Sequence, residues 1–128
     1  MPKIITFPRI TDARGSLSFA QELPFNIRRA YWLFDLSSDA VRGGHSHRRL
    51  ERVIIPISGS VIATVNGQPY HLYKPWVGLH VLPLEWLDLN SFSGGAALMV
   101  LASAIYDERD YIRDRADYDK LISASTTR

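Results

Sequence analysis

The 128-residue sequence predicts an all-β fold, a sandwich or small barrel, on three observations. Apolar runs of about five to seven residues, rich in Val, Ile, Tyr and Trp, recur along the chain at the usual strand length. Turn residues separate them at regular intervals, and the strand-helix alternation of a βαβ fold is missing. The chain is long enough for one core and too short for two, so a single domain over residues 1–128 is expected.

Strands are predicted, in order, at residues 30–36, 53–57, 61–65, 68–73, 77–82 and 97–102. Asn66-Gly67 joins two of them as a hairpin, because both residues tolerate the positive φ of a type I′ turn. Further breaks fall at Gly43-Gly44, Ser58-Gly59 and Gly94-Gly95. From about residue 106 to 122, charges of both signs surround Tyr111, Ile112, Tyr118 and Leu121, which predicts short helical turns. Residues 123–128 are small and polar and are expected to fray.

Composition narrows the function. With no cysteine, disulfides, thiolate metal sites and cysteine nucleophiles are excluded, and the cytoplasm is the default compartment. The N-terminus lacks a signal-peptide pattern, and no stretch approaches the roughly 20 apolar residues of a membrane span. A net charge of +2 is too near balance for a dedicated nucleic-acid binder. Twelve of the 15 cations are nevertheless arginine, with nine basic against five acidic residues up to Arg52. Arginine suits bidentate recognition of phosphate and carboxylate, so the bias points to a small anionic ligand; solvated surface arginine is the plain alternative.

The densest chemical cluster is Arg42-Gly43-Gly44-His45-Ser46-His47, with Glu51 and Arg52 behind it. It reads as a turn feeding a strand, where residues two apart share a face, so His45 and His47 aim into one cavity. A continued strand gives Glu51 the same parity and places His, His and Glu together. One use of such a set is metal binding, since His-x-His with a later Glu is the first half of the metal-binding cupin pattern. That pattern needs another histidine near Pro83, and Pro83-Leu84-Glu85-Trp86-Leu87-Asp88-Leu89 contains none. A second use is metal-free general acid/base catalysis by imidazole, whose pKa of about 6.5 lies near working pH. A pair of surface loop histidines is the third reading. Asp12-Ala13-Arg14-Gly15-Ser16-Leu17 is a weaker signal: an Arg before Gly, as at Arg42, that can close on a diphosphate, or merely a capped turn. Trp32, Trp76 and Trp86 read chiefly as core or interface, with Trp86 the best candidate to stack on a base. His71 and His80 read as edge or rim histidines, Glu85 and Asp88 as solvated charges.

Taken together, the motifs Arg14-Gly15-Ser16-Leu17, Pro24-Phe25-Asn26-Ile27, Arg42-Gly43-Gly44-His45-Ser46-His47, Leu50-Glu51, Gly59-Ser60, Val77-Gly78-Leu79, Met99-Val100-Leu101-Ala102-Ser103 and Tyr106-Asp107-Glu108-Arg109-Asp110-Tyr111-Ile112-Arg113 occur in a telling order. The chain resembles the sugar 3,4-ketoisomerases that act on thymidine-diphosphate-linked (dTDP) 4-keto-6-deoxyglucose. It is similar at two points to the 3,5-epimerases of the same sugar pathway. The resemblance implies a cupin-like small β-barrel (jelly roll) with short C-terminal helical turns. It implies a dTDP-linked 4-keto-6-deoxy sugar as substrate, no metal or other cofactor, and a homodimer that exchanges N-terminal strands, so that Arg14 could serve the partner's pocket. It further implies His45 as the base, His47 as assisting acid or relay, and Arg14 and Arg42 on the diphosphate or neighbouring sugar; Glu51, Arg52 and Trp86, close to these positions, are read as further substrate contacts. Two departures stand out: Leu87 occupies a position where the family has His, and Arg52 replaces a usual Gln. Leu87 leaves open a related epimerase or an isomerase for another keto sugar, and a non-catalytic or metal-binding cupin is the remaining alternative.

Overall fold

The structure is a computed structural model that describes residues 1–126. Two antiparallel five-stranded sheets face each other in the expected all-β, cupin-like arrangement. The first has the order β1 (Lys3–Thr6), β9 (Val77–Val81), β6 (Arg52–Ser58), β11 (Ala97–Ala102) and β4 (Arg29–Leu33). The second runs β12 (Tyr111–Ile112), β5 (Arg42–His47), β10 (Leu87–Asn90), β7 (Val61–Val65) and β8 (Gln68–Leu72). A hairpin of β2 (Arg9–Asp12) and β3 (Gly15–Ser18) stands apart from both, with every residue of its strands exposed. The sheets are separate, so the enclosure is a sandwich open at its edges.

Period-2 alternation builds the core. In β7, Val61, Ala63 and Val65 are buried and their neighbours only half-buried, so one face packs on Ile54, Leu79, Leu98 and Val100 of the opposite sheet. Burial of each such Val, Ile or Leu side chain contributes roughly 1.5–3 kcal/mol. Strand β6 is buried on both faces, because Val53 and Ile55 meet a second cluster with Phe7 and Leu101 on the outside. The Asn66-Gly67 hairpin between β7 and β8 has φ of 50° and 82°, as a type I′ turn requires. At Gly43, φ is 84° and a Cβ would lie 2.7 Å from the Leu87 carbonyl oxygen. The β5-β10 register shifts between Leu87 and Asp88, so β10 crosses the backbone at Gly43 with no room for a side chain.

The expected strands at 61–65 and 97–102 are observed with those bounds, and the others end within a few residues of expectation. The run at 30–36 stops at Leu33, since the chain soon takes a left-handed turn at Asp35, with φ of 53°. Strands β1, β2, β3, β10 and β12 are additions of two to four residues, too short to show a period in sequence. The C-terminal turns are a 3-10 turn at Glu108–Asp110 and a longer helix, α1 (Arg115–Thr126). The expected fraying is therefore corrected for residues 123–126, which continue that helix; Thr127 and Arg128 lie outside the described residues. Tyr118 and Ile122 anchor α1 against Ile112 and Trp86. Among the described residues no helix is long and apolar enough to cross a membrane.

Candidate active site

A cavity of about 290 Å³ opens between the inner faces of the two sheets. Strand β4 turns Arg29, Tyr31 and Leu33 towards it and leaves 30 and 32 exposed. Strand β5 contributes Arg42 and His45, β6 contributes Arg52 and Ile54, and β10 contributes Leu87 and Leu89. The C-terminal segment adds Tyr111 and Arg113. Backbone pairing of Tyr111 with His47 brings that segment in, and the Asp110 carboxylate accepts from the N–H groups of Arg49 and Leu50 at 3.0 and 3.1 Å.

His45 faces Leu87 across the β5-β10 pair and accepts a hydrogen bond at Nε2 from Nη1 of Arg52, at 3.1 Å. An arginine only donates, so the contact fixes Nε2 as the unprotonated nitrogen. Burial, and then the Arg52 charge, lower the His45 pKa to about 4. His47 lies edge-on to His45, with ring centroids 5.0 Å apart, and both its ring nitrogens are buried without a hydrogen-bond partner. Burial, and then Arg52, lower its pKa to about 2. The expectation of one shared cavity is corrected here: His47 lines a second cavity with Arg49, Ser103 and Asp110, and Arg29 and Tyr111 belong to the walls of both.

The first cavity gathers four guanidinium groups, from Arg29, Arg42, Arg52 and Arg113. Arg113 is neutralised by a two-point pair with Glu108, at 2.7 and 3.0 Å, and lies over the Tyr111 ring. No carboxylate of the described residues pairs with the other three. Nε of Arg29 and Nε of Arg52 are buried and unpartnered. Such a site draws anions, and its low-dielectric walls strengthen the attraction.

Several expected residues lie elsewhere. Strand β5 ends at His47, and the chain turns before β6, so Glu51 loses the parity assumed for it. Its carboxylate accepts from Nε2 of His80 at 2.9 Å, near Phe25, while Arg52 faces inwards instead. The metal set of His, His and Glu is not assembled, and no other group of three metal-binding side chains exists among the described residues. Trp86 precedes inward-facing Leu87 and packs against Tyr118 and Ile112, so it does not line either cavity. Arg14 is exposed on the β2-β3 turn, paired with Asp12 at 2.6 Å and outside both cavities. His80 is buried at 5% exposure rather than on a rim, and Glu85, at 6%, accepts from the Leu82 N–H instead of facing solvent. Arg29, Tyr31, Tyr111 and Arg113 are wall residues that no motif assigned to the site. Alternation along 29–33 is the signal for the first two, and the terminal Tyr106-to-Arg113 signature is the signal for the others.

The histidines give the fold a pH dependence. Both have a folded-state pKa below the 6.5 of the unfolded chain, so the unfolded chain binds more protons at acidic pH. Their contribution is complete above pH 6.5 and is lost as pH falls towards 4 and 2. The slope is at most about 1.4 kcal/mol per pH unit for buried His47, and less for half-buried His45. The urea midpoint is expected to fall between pH 7 and pH 5, with a smaller fall in His47→Gln; equal midpoints for the native protein would contradict it.

The family model described as "FdtA: WxcM-like, C-terminal" matches residues 1–123. The chain is 40% identical to the TDP-4-oxo-6-deoxy-alpha-D-glucose-3,4-oxoisomerase of Aneurinibacillus thermoaerophilus, over 94% of this chain and 92% of that one. A 3,4-ketoisomerase from Helicobacter canadensis superposes with a TM-score of 0.91 at 36% identity, over 95% of this chain and 97% of that one. QdtA, a sugar 3,4-ketoisomerase from Thermoanaerobacterium thermosaccharolyticum solved in complex with TDP, superposes with a TM-score of 0.89 at 37% identity, over 91% and 90%. These matches span nearly the whole chain and include the histidine-bearing strand and both walls of the cavity. The chain belongs to the FdtA, WxcM-like family of sugar 3,4-ketoisomerases.

Proposed function

We propose that the protein, as one domain over residues 1–128, moves the keto group of a dTDP-linked 4-keto-6-deoxyhexose from C4 to C3 in deoxysugar biosynthesis in the cytoplasm. The observation that carries the reading is the neutral imidazole of His45 inside a cavity walled by arginines without carboxylate partners. The 4-keto group acidifies the proton on C3, and Nε2 of His45 takes it. The C–H electron pair becomes the C3–C4 double bond, and the carbonyl pair moves onto the C4 oxygen. The hydroxyl proton on the C3 oxygen passes to the C4 oxygen, and His45 returns its proton to C4, leaving the ketone at C3. The shift is redox-neutral within the sugar, so no external electron acceptor is consumed.

Arg42 holds the diphosphate at the cavity mouth, with Arg29 adding charge deeper in. His47 assists at one remove, through its packing on Tyr111, with ring centroids 4.2 Å apart, and its edge contact with His45. Leu87 offers no proton, so His45 serves both carbons and the face it occupies sets the configuration at C4. The test is an NMR time course in deuterated buffer with dTDP-4-keto-6-deoxyglucose. A 3-keto product is expected, with the substrate's C3 proton carried to C4 and deuterium there only to the extent that the imidazolium exchanges with solvent. Binding without conversion would favour another keto sugar, as Leu87 suggests, and no binding would favour a non-catalytic cupin.

A homodimer belongs to the same proposal. Trp32 and Phe34 are about 60% exposed, and Phe19, Ile27, Ile57 and Met99 lie around an apolar groove on the outer side of the first sheet. A second copy would cover this surface. Because β1 pairs with β9 of its own chain, exchange between copies would fall to the detached β2-β3 hairpin, which carries Arg14. Light scattering is expected to give twice the chain mass, and Trp32→Asp to reduce it to the monomer. A monomeric native protein would refute the assignment.

A further inference from the structure

Arg52 stands at the start of the central strand β6 and is 2% exposed. It points inwards with Ile54 and reaches from the first sheet to His45 on the second, which is the β5 side of the cavity. A buried cation is costly unless it is paired, by several kcal/mol, and the usual remedy is a carboxylate. None of the described residues supplies one. Its neighbours are the phenols of Tyr31 and Tyr111, with Glu85 acting only weakly. Tyr31 is itself held protonated by burial, with the Arg52 charge beside it acting in the opposite direction. Nε of Arg52 remains buried and unpartnered beside the cavity.

The contact with His45 poses a chemical problem that suggests its own resolution. In the free protein Nη1 of Arg52 occupies the lone pair on Nε2 that a base must use. An imidazole this depressed is also a weak base towards a carbon acid, so the negative charge that develops on the sugar needs a strong electrophile. One group can satisfy both requirements. Resting on the isomerase reading above, we propose that Arg52 is the electrophile: substrate binding transfers its hydrogen bond from Nε2 of His45 to the keto oxygen, which frees the base and pairs the enediolate with a buried positive charge. As the C3 proton moves to Nε2, the electron pair ends on the C4 oxygen against the guanidinium, which stays protonated throughout. When the ketone reforms at C3, the same fork can follow the charge to the neighbouring oxygen. Arg52 is thereby a catalytic residue, whereas Arg42 at the mouth only binds.

Other charges around His45 do not replace it. His47 on the same strand is neutral, and Arg113 is committed to Glu108. Tyr111 packs on the imidazole, with centroids 5.1 Å apart, and β10 presents only Leu87 directly opposite. From β4, Arg29 lies over the Tyr31 ring.

The test compares Arg52→Met, which keeps the length without charge or N–H donor, and Arg52→Lys, which keeps charge without the fork, with the native protein. For Arg52→Met, kcat is expected to fall by about 10² to 10³, the usual loss on removing an oxyanion donor, with KM changed less than about fivefold. Arg52→Lys is expected to fall between the two. A kcat within about threefold of native in Arg52→Met, or a loss confined to KM, would overturn the proposal. Nitrogen-15 imidazole spectra of the substrate-free protein supply the readout that does not depend on turnover. The native His45 is expected to be protonated at Nδ1, and its titration midpoint to rise in Arg52→Met; an Nε2-protonated native His45, or an unmoved midpoint, would overturn the proposal too. Failure of the native protein to convert the nucleotide sugar would instead refute the isomerase reading, so the two failures are distinct. The native tautomer measurement stands even if a variant fails to fold.

Discussion

His45→Asn is expected to lower turnover of the dTDP-4-keto sugar by about 10² to 10⁴, the range for losing a positioned general base. Asparagine retains a polar group of similar reach but cannot accept a proton from carbon. Nearly all of the loss should appear in kcat, because the diphosphate contacts lie elsewhere in the cavity. Retention of more than about a tenth of native turnover would remove His45 from the role. The native pH profile supplies a companion result. Since the free-protein pKa is about 4, the neutral base predominates above that value and kcat/KM should fall only as pH drops towards it. A half-maximal point near 6.5 would mean that His45 is far more solvated than this geometry allows.

Arg42→Ala is expected to weaken nucleotide-sugar binding by about 10- to 150-fold, the equivalent of one charge-assisted hydrogen bond at roughly 1.5–3 kcal/mol. Arg42 is exposed at the cavity mouth, and the tight approach of β10 at Gly43 fixes its backbone. No carboxylate among the described residues competes for its guanidinium, so the fork is available to phosphate. Titration calorimetry with dTDP is the direct check. Unchanged affinity together with unchanged KM would sink the assignment and shift the diphosphate to Arg29. A comparable loss in Arg14→Ala would instead support a hairpin contributed by the second copy.

Parity explains which site residues were legible. His45 and the Arg42-Gly43-Gly44 segment could be found because they form one local cluster whose chemistry does not depend on distant partners. Glu51 was misplaced because the strand ends at His47; an intervening turn exchanges the faces, and Arg52 takes the inward position. Trp86 was misplaced for a related reason: its neighbour Leu87 faces the cavity, and the tryptophan turns to the helix that covers the sheet. His47 was placed on the correct strand but in the wrong cavity, since Tyr111 arrives from 64 positions along the chain to stand beside it.

The sequence by itself determined the all-β class, the hairpin at Asn66-Gly67, the arginine bias and the order of motifs that identifies the family. These are local or additive properties: alternation, turn chemistry and composition act over a few residues at a time. Only the tertiary structure decided which nitrogen of His45 is unprotonated, which arginines lack carboxylates, and that Glu51 pairs with His80. Those outcomes depend on groups brought together from separate strands, where burial raises the cost of an unpaired charge and a change of one residue in parity moves a side chain to the opposite face.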